Sequence, residues 1–178
     1  MAKRRTSQDP RKELWKLVAG MGSLSEALKS LELIKETEPL NIEFLSRQLW
    51  CSFFICYSRP FTNNNDIGIL KIKILPSEYR DFHQKILKMR NVAYGHIDPL
   101  QRTAEDNQVN MIKVTVQSDG RVIPRPQGIE PHPSELERFY NHTNKVFEVI
   151  SKEVSDYSSK HDIPEFSQVG DHVFDYTK

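Results

Sequence analysis

Apolar residues recur at helical spacing along most of the first hundred positions. Leu14, Trp15, Leu17 and Val18 open an amphipathic pattern that is interrupted at Gly20-Met21-Gly22. Ser23 stands three residues before Glu26, a capping-box spacing, and Leu24, Leu28, Leu31 and Ile34 carry the pattern on to Pro39. This predicts one broken helix or two short ones. From Asn41 to Ser58 the chain is at its most hydrophobic, with Phe44, Leu45, Leu49, Trp50, Phe53, Phe54, Ile55 and Tyr57. Apolar on most sides, this segment is expected to be the central helix of a bundle or a dimer face. Arg59-Pro60 ends it, and Thr62 to Asp66 is a polar stretch with turn chemistry. Ile67 to Leu75 alternates loosely, as an extended segment or a short helix would. Beginning at Pro76-Ser77-Glu78, the residues Tyr79, Phe82, Ile86, Met89 and Ala93 recur at three and four positions and predict a further helix.

Beyond Pro99 the period shortens. Val109, Met111, Ile112, Val114 and Val116 lead into Ser118-Asp119-Gly120, with Val122-Ile123 after it, the pattern of two strands joined at an Asp-Gly turn. Pro124, Pro126, Pro131 and Pro133 are expected to bar regular structure. Ser134 and Glu137 form a second capping-box pattern, opening a helix through Leu136, Phe139, Tyr140, Val146, Phe147, Ile150 and Val154. The expected fold is mainly α: an up-and-down bundle of four to five helices with a small β-hairpin insertion at about 109–124. Residues 1–11 are polar and basic and read as a flexible arm, residues 12–160 as the bundle domain, and residues 161–178 as a tail that is either loose or laid across a partner subunit.

Composition narrows the function classes. A chain of 178 residues is one domain by size and large enough to bury a core without cross-links. With 25 Lys+Arg against 24 Asp+Glu there is no global field to draw in nucleic acid, so any such contact needs a local patch. Cys51 and Cys56 lie in the apolar segment and are expected to be buried thiols, with no paired ligands nearby to suggest zinc. Lys3, Arg4 and Arg5 are not followed by an apolar run, and no stretch reaches the length of a membrane span. A cytoplasmic location, without membrane, metal or cofactor, is the expectation.

The chemistry concentrates in Arg90-Asn91-Val92-Ala93-Tyr94-Gly95-His96, at the end of the predicted third helix. A guanidinium offers a planar fork of donors matched to phosphate oxygens, and an imidazole exchanges protons near neutral pH. On an undistorted helix Arg90 and His96 stand roughly 120° apart with a rise near 9 Å, so they do not share a stripe. Gly95 can distort the last turn, and a twofold axis can set two copies of the motif side by side. His83, at the far end of the same helix, is not placed to share a metal with His96. His132 sits among prolines, and His142 is expected to be about half exposed on the last helix.

The run from Leu87 to Asn91 followed by His96-Ile97-Asp98-Pro99 resembles the signature of the HEPN superfamily: arginine, a polar residue, four variable residues, histidine. The order of elements is similar to its abortive-infection, phage-resistance branch. Ser58-Arg59-Pro60-Phe61 also resembles a segment of those proteins, which makes Arg59 a secondary candidate. The resemblance implies a small dimerising helical bundle and, for many members, a metal-independent ribonuclease with toxin-like action in phage defence or stress response. On that reading paired His96 residues act as general base and general acid on RNA, starting from a reference pKa near 6.5. Arg90 neutralises charge on the non-bridging oxygens. Asn91 orients the histidine or the phosphate, and Tyr94 and Asp98 are supporting candidates. The expected products are a 2′,3′-cyclic phosphate and a 5′-hydroxyl. The partners are then RNA, a second copy of the chain and, in a toxin system, an antitoxin protein. The alternative is a non-catalytic nucleotide- or RNA-binding or protein-interaction scaffold on the same dimer.

Overall fold

The helical stripes of the sequence close on one another as a bundle of four α-helices in a computed structural model that describes residues 10–40, 42–62, 69–91, 111–127 and 131–163. Helix α1 spans Pro10–Thr37 without a break. It begins earlier than the polar residues suggested, because proline at the first helical position has its φ pre-set and lacks an N–H that would go unbonded there. Pro10 and Arg11 are therefore helical and not part of an arm; residues 1–9 lie outside the described residues. Leu14, Leu17, Leu24, Ala27, Leu31 and Ile34 form its buried stripe.

The glycines of α1 do not interrupt it. Gly20 is buried where the chain after α2 crosses the helix: a Cβ there would stand 2.9 Å from Leu70 Cδ1 and 3.3 Å from Pro60 Cβ. Its smallness serves close packing, and the Leu70 N–H donates to the Pro60 carbonyl at 2.9 Å in the same crossing. Gly22 meets nothing within 4 Å.

Helix α2 spans Glu43–Ser58 and passes into a 3-10 turn, Arg59–Phe61, at the Arg59-Pro60 stop. Trp50, Phe53, Phe54 and Tyr57 are buried, whereas Phe44 is 72% and Ile55 38% exposed. The helix thus buries one aromatic face; it is α1 that packs along both α2 and α4. Cys51 and Cys56 are free and partly exposed on the flanks of that face, not buried as expected. Residues Ile72–Ile74 form another 3-10 turn before α3, Ser77–Met89. Helix α4, Leu136–His161, follows a 3-10 turn at Pro133–Glu135. The second capping box does not form: α4 has no side-chain cap, and Ser134 Oγ instead pairs with His132 Nδ1 at 2.8 Å.

Directions follow from the cross-helix pairs. Ser30 meets Ser52 at 3.1 Å and Gly20 faces Pro60, so α1 and α2 run antiparallel. Lys85 pairs with Glu135 at 3.3 Å while Phe82 packs on Phe139, so α3 and α4 do likewise. Tyr140 donates to Glu32 at 3.2 Å, which places the end of α1 beside the start of α4. The C-termini of α1 and α3 and the N-termini of α2 and α4 therefore share one end of the bundle. Trp50, Phe53, Phe54 and Phe139 interlock between α2 and α4 with ring centroids 5.0–5.9 Å apart.

Strands β1, Met111–Val116, and β2, Val122–Gln127, pair antiparallel, from Met111 opposite Gln127 to Val116 opposite Val122. Gly120, at φ 81°, closes the three-residue turn 118–120 inside the hydrogen-bonded Gln117–Arg121 pair. Pro124 and Pro126 fall within β2 after all, since the Gln117–Arg121 hydrogen bond sets a register in which positions 124 and 126 point their nitrogens away from β1.

Candidate functional site

The predicted motif straddles the end of α3. Arg90 caps the helix, its N–H donating to the Ile86 and Leu87 carbonyls, and Asn91 completes a π-type turn. The Arg90 guanidinium donates through one terminal nitrogen to Asn91 Oδ1 at 2.9 Å. Asn91 is exposed and Arg90 half-buried, so the pair presents a cation and an amide to solvent. His96, Tyr94 and Asp98 lie outside the described residues. Arg59 stands exposed at the C-terminal end of α2, which the antiparallel packing puts at the opposite end of the bundle from Arg90. The structure does not bring those two arginines together.

It does bring together three residues that pattern reading did not join. Tyr57 from α2, His83 from α3 and His142 from α4 meet in the core, the phenol oxygen lying 2.8 Å from His83 Nδ1 and 2.9 Å from His142 Nε2. Tyr57 and His83 are fully buried and His142 is 8% exposed, which corrects the half-exposed expectation for His142. Phe61 packs edge-on against His83 at 4.3 Å, and Phe82 against His142 at 4.9 Å.

Proton bookkeeping orients this chain. His83 Nε2 is buried and has no hydrogen-bond partner among the described residues. An orphaned N–H is the costlier burial, so the proton of His83 belongs on Nδ1, donating to the Tyr57 oxygen. The phenol then donates its own proton to His142 Nε2. That leaves the His142 proton on Nδ1. Burial holds both imidazoles neutral, each with its pKa lowered to about 4; the second cause is His142 for His83 and the Arg138 guanidinium for His142. Burial likewise raises the Tyr57 phenol well above its ordinary value.

A signal for this triad was present in the sequence. Tyr57 continues the stripe of Trp50, Phe53 and Phe54; His83 falls between Tyr79 and Ile86; His142 lies between Phe139 and Val146. A titratable residue inside an apolar stripe requires a buried partner. The identity of each partner depends on three helices meeting, which spacing along one helix does not encode.

Among the described residues, no group of three or more His, Cys, Asp or Glu side chains is placed to hold a metal ion. Nor is any helix there long and apolar enough to cross a membrane. No family model, no curated protein and no solved structure matches this chain.

Proposed function

We propose that this chain is a metal-independent endoribonuclease, cleaving RNA by 2′-hydroxyl attack at a composite site where two copies of the motif Arg90, Asn91 and His96 meet, and that it acts as a toxin-like effector in phage defence or stress response. The observation that carries the reading is the Arg90–Asn91 pair, hydrogen-bonded at 2.9 Å and presented at the end of the third helix of a four-helix bundle. A cation half-fixed by its neighbour retains donors for a phosphate, and its helix-end position gives access that a mid-helix arginine on a packed face lacks. Base and acid are both needed to move the 2′-proton and protonate the 5′-oxygen, and two His96 imidazoles supply them.

The test is cleavage of mixed cellular RNA in excess chelator by the parent protein and by His96→Ala and Arg90→Ala variants of matched fold and oligomeric state. Cleavage by the parent and its loss in both variants is the expected outcome. Cleavage persisting in the variants, or absent from the parent, overturns the reading. The second reading, a non-catalytic interaction scaffold, draws on the apolar corner at the same end of the bundle, where Leu40 is 63%, Ile42 47% and Phe44 72% exposed. It predicts RNA or partner binding with no cut product.

A further inference from the structure

The seam between α3 and α4 opens into a groove of about 580 Å³ that runs from Ser134, just before α4, to Glu78, in the first turn of α3. Its floor is aromatic and fixed. The Phe82 ring packs on Phe139 at 5.1 Å and on His142 at 4.9 Å, Tyr79 lies 6.0 Å from His142, and the Arg138 guanidinium covers Phe82 at 4.3 Å. His142, more than nine-tenths buried, lines the groove while Tyr57 holds its far side, so its Nδ1–H is a donor of set orientation.

The charge along the groove is balanced. Arg138 and Lys145 face Glu78 and Glu137, and Lys145 is already paired with Glu148 at 2.8 Å. A phosphate entering here meets carboxylates, so the groove is not an anion trap. What it offers is a π surface beside closely spaced donors and acceptors: the Arg138 plane and Tyr79 ring for stacking, the His142 N–H and the Asn141 amide as donors, and the Glu137 carboxylate as acceptor. Planar rings with both N–H and acceptor atoms on their edges complement that set.

The geometry points to this groove as a subsite for an unpaired nucleobase. Position along α3 connects it to the motif: Tyr79 and Arg90 are eleven residues apart, about three turns plus 20°, hence on one stripe and roughly 17 Å apart along the axis. The base is then one lying a few nucleotides from the phosphate at Arg90, which rests on the ribonuclease reading; the binding itself does not require cleavage.

The test uses the wild-type chain and a fluorescently labelled single-stranded 2′-O-methyl RNA, which cannot be cut through its 2′-oxygen, with anisotropy as the readout. Tyr79→Ala and Arg138→Ala, both outside the buried core, weaken binding at least fivefold, while Lys152→Ala, on an exposed position of α4, does not. A free nucleoside competes and ribose 5-phosphate does not, which separates recognition of the base from recognition of the phosphate. Tyr79→Phe retains the affinity that Tyr79→Ala loses. The subsite is overturned if both alanine variants bind within twofold of wild type, if ribose 5-phosphate competes as well as the nucleoside, or if wild type binds neither RNA nor nucleoside. Cleavage of ordinary RNA with unaltered groove-variant binding refutes the subsite alone. Groove-dependent binding without cleavage refutes the nuclease alone.

Discussion

Lowering the pH should destabilise this protein through its two buried imidazoles. In the unfolded chain His83 and His142 titrate near 6.5, whereas in the fold each does so only near 4. Between those values the unfolded state binds more protons than the native state, so stability is complete above pH 6.5 and falls as pH drops toward 4. Between pH 7.5 and 5.0 the linkage comes to about 2 kcal/mol for each imidazole and about 4 kcal/mol for the pair. Against a total stability of roughly 5–15 kcal/mol, that is a large fraction. The assay is urea unfolding at several pH values, followed by fluorescence of Trp15 and Trp50 and checked by circular dichroism for a constant m-value. His83→Gln removes one of the two titrating groups and should cut the loss to about half, about 2 kcal/mol. A stability profile that is flat from pH 7.5 to 5.0, or one with the same slope in His83→Gln, refutes the reasoning.

The two described glycines of α1 give opposite outcomes on substitution by alanine. Gly22→Ala gains about 1 kcal/mol of helix propensity, since its Cβ meets nothing. Gly20→Ala makes the same gain but presses on buried Leu70 and on Pro60, and ends at least about 1 kcal/mol below the Gly22→Ala variant in urea unfolding. Equal stabilities would mean that the crossing yields freely. Helix α4 ends on Asp162 in the left-handed region, φ 47°, with the Ile163 N–H donating to Ser158 O at 3.3 Å. Asp162→Gly relieves that conformation and should raise the thermal midpoint, by up to about 1 kcal/mol in stability; a lower midpoint would contradict the cap assignment.

Much of the helical plan was legible in the chain because amphipathic spacing is local. The apolar stripes of α2, α3 and α4 are written at three- and four-residue intervals, and Arg59-Pro60 ends α2 at the position read from sequence. The arginine and asparagine of the motif also stand at the end of the third helix, as their order in the chain implies. The misreadings share a cause. Gly20 looked like a break because low helix propensity is a local property, while its use, the approach of Pro60 and Leu70, is a contact forty to fifty residues away. The expected cap at Ser134 failed because its hydroxyl had a competing partner in His132.

What the sequence determined by itself was which faces must be buried and that an arginine and an asparagine stand together at the end of the third helix, since both are set by residue type and interval. The tertiary structure alone decided that Tyr57, His83 and His142 share one hydrogen-bonded chain. Each belongs to a different helix, and His142 lies 85 positions from the tyrosine it pairs with. No interval within one helix relates them. Only the packing of α2, α3 and α4 around the aromatic core brings them within hydrogen-bond distance, and the same packing removes the water that would otherwise have let either imidazole charge as the pH falls below about 6.5.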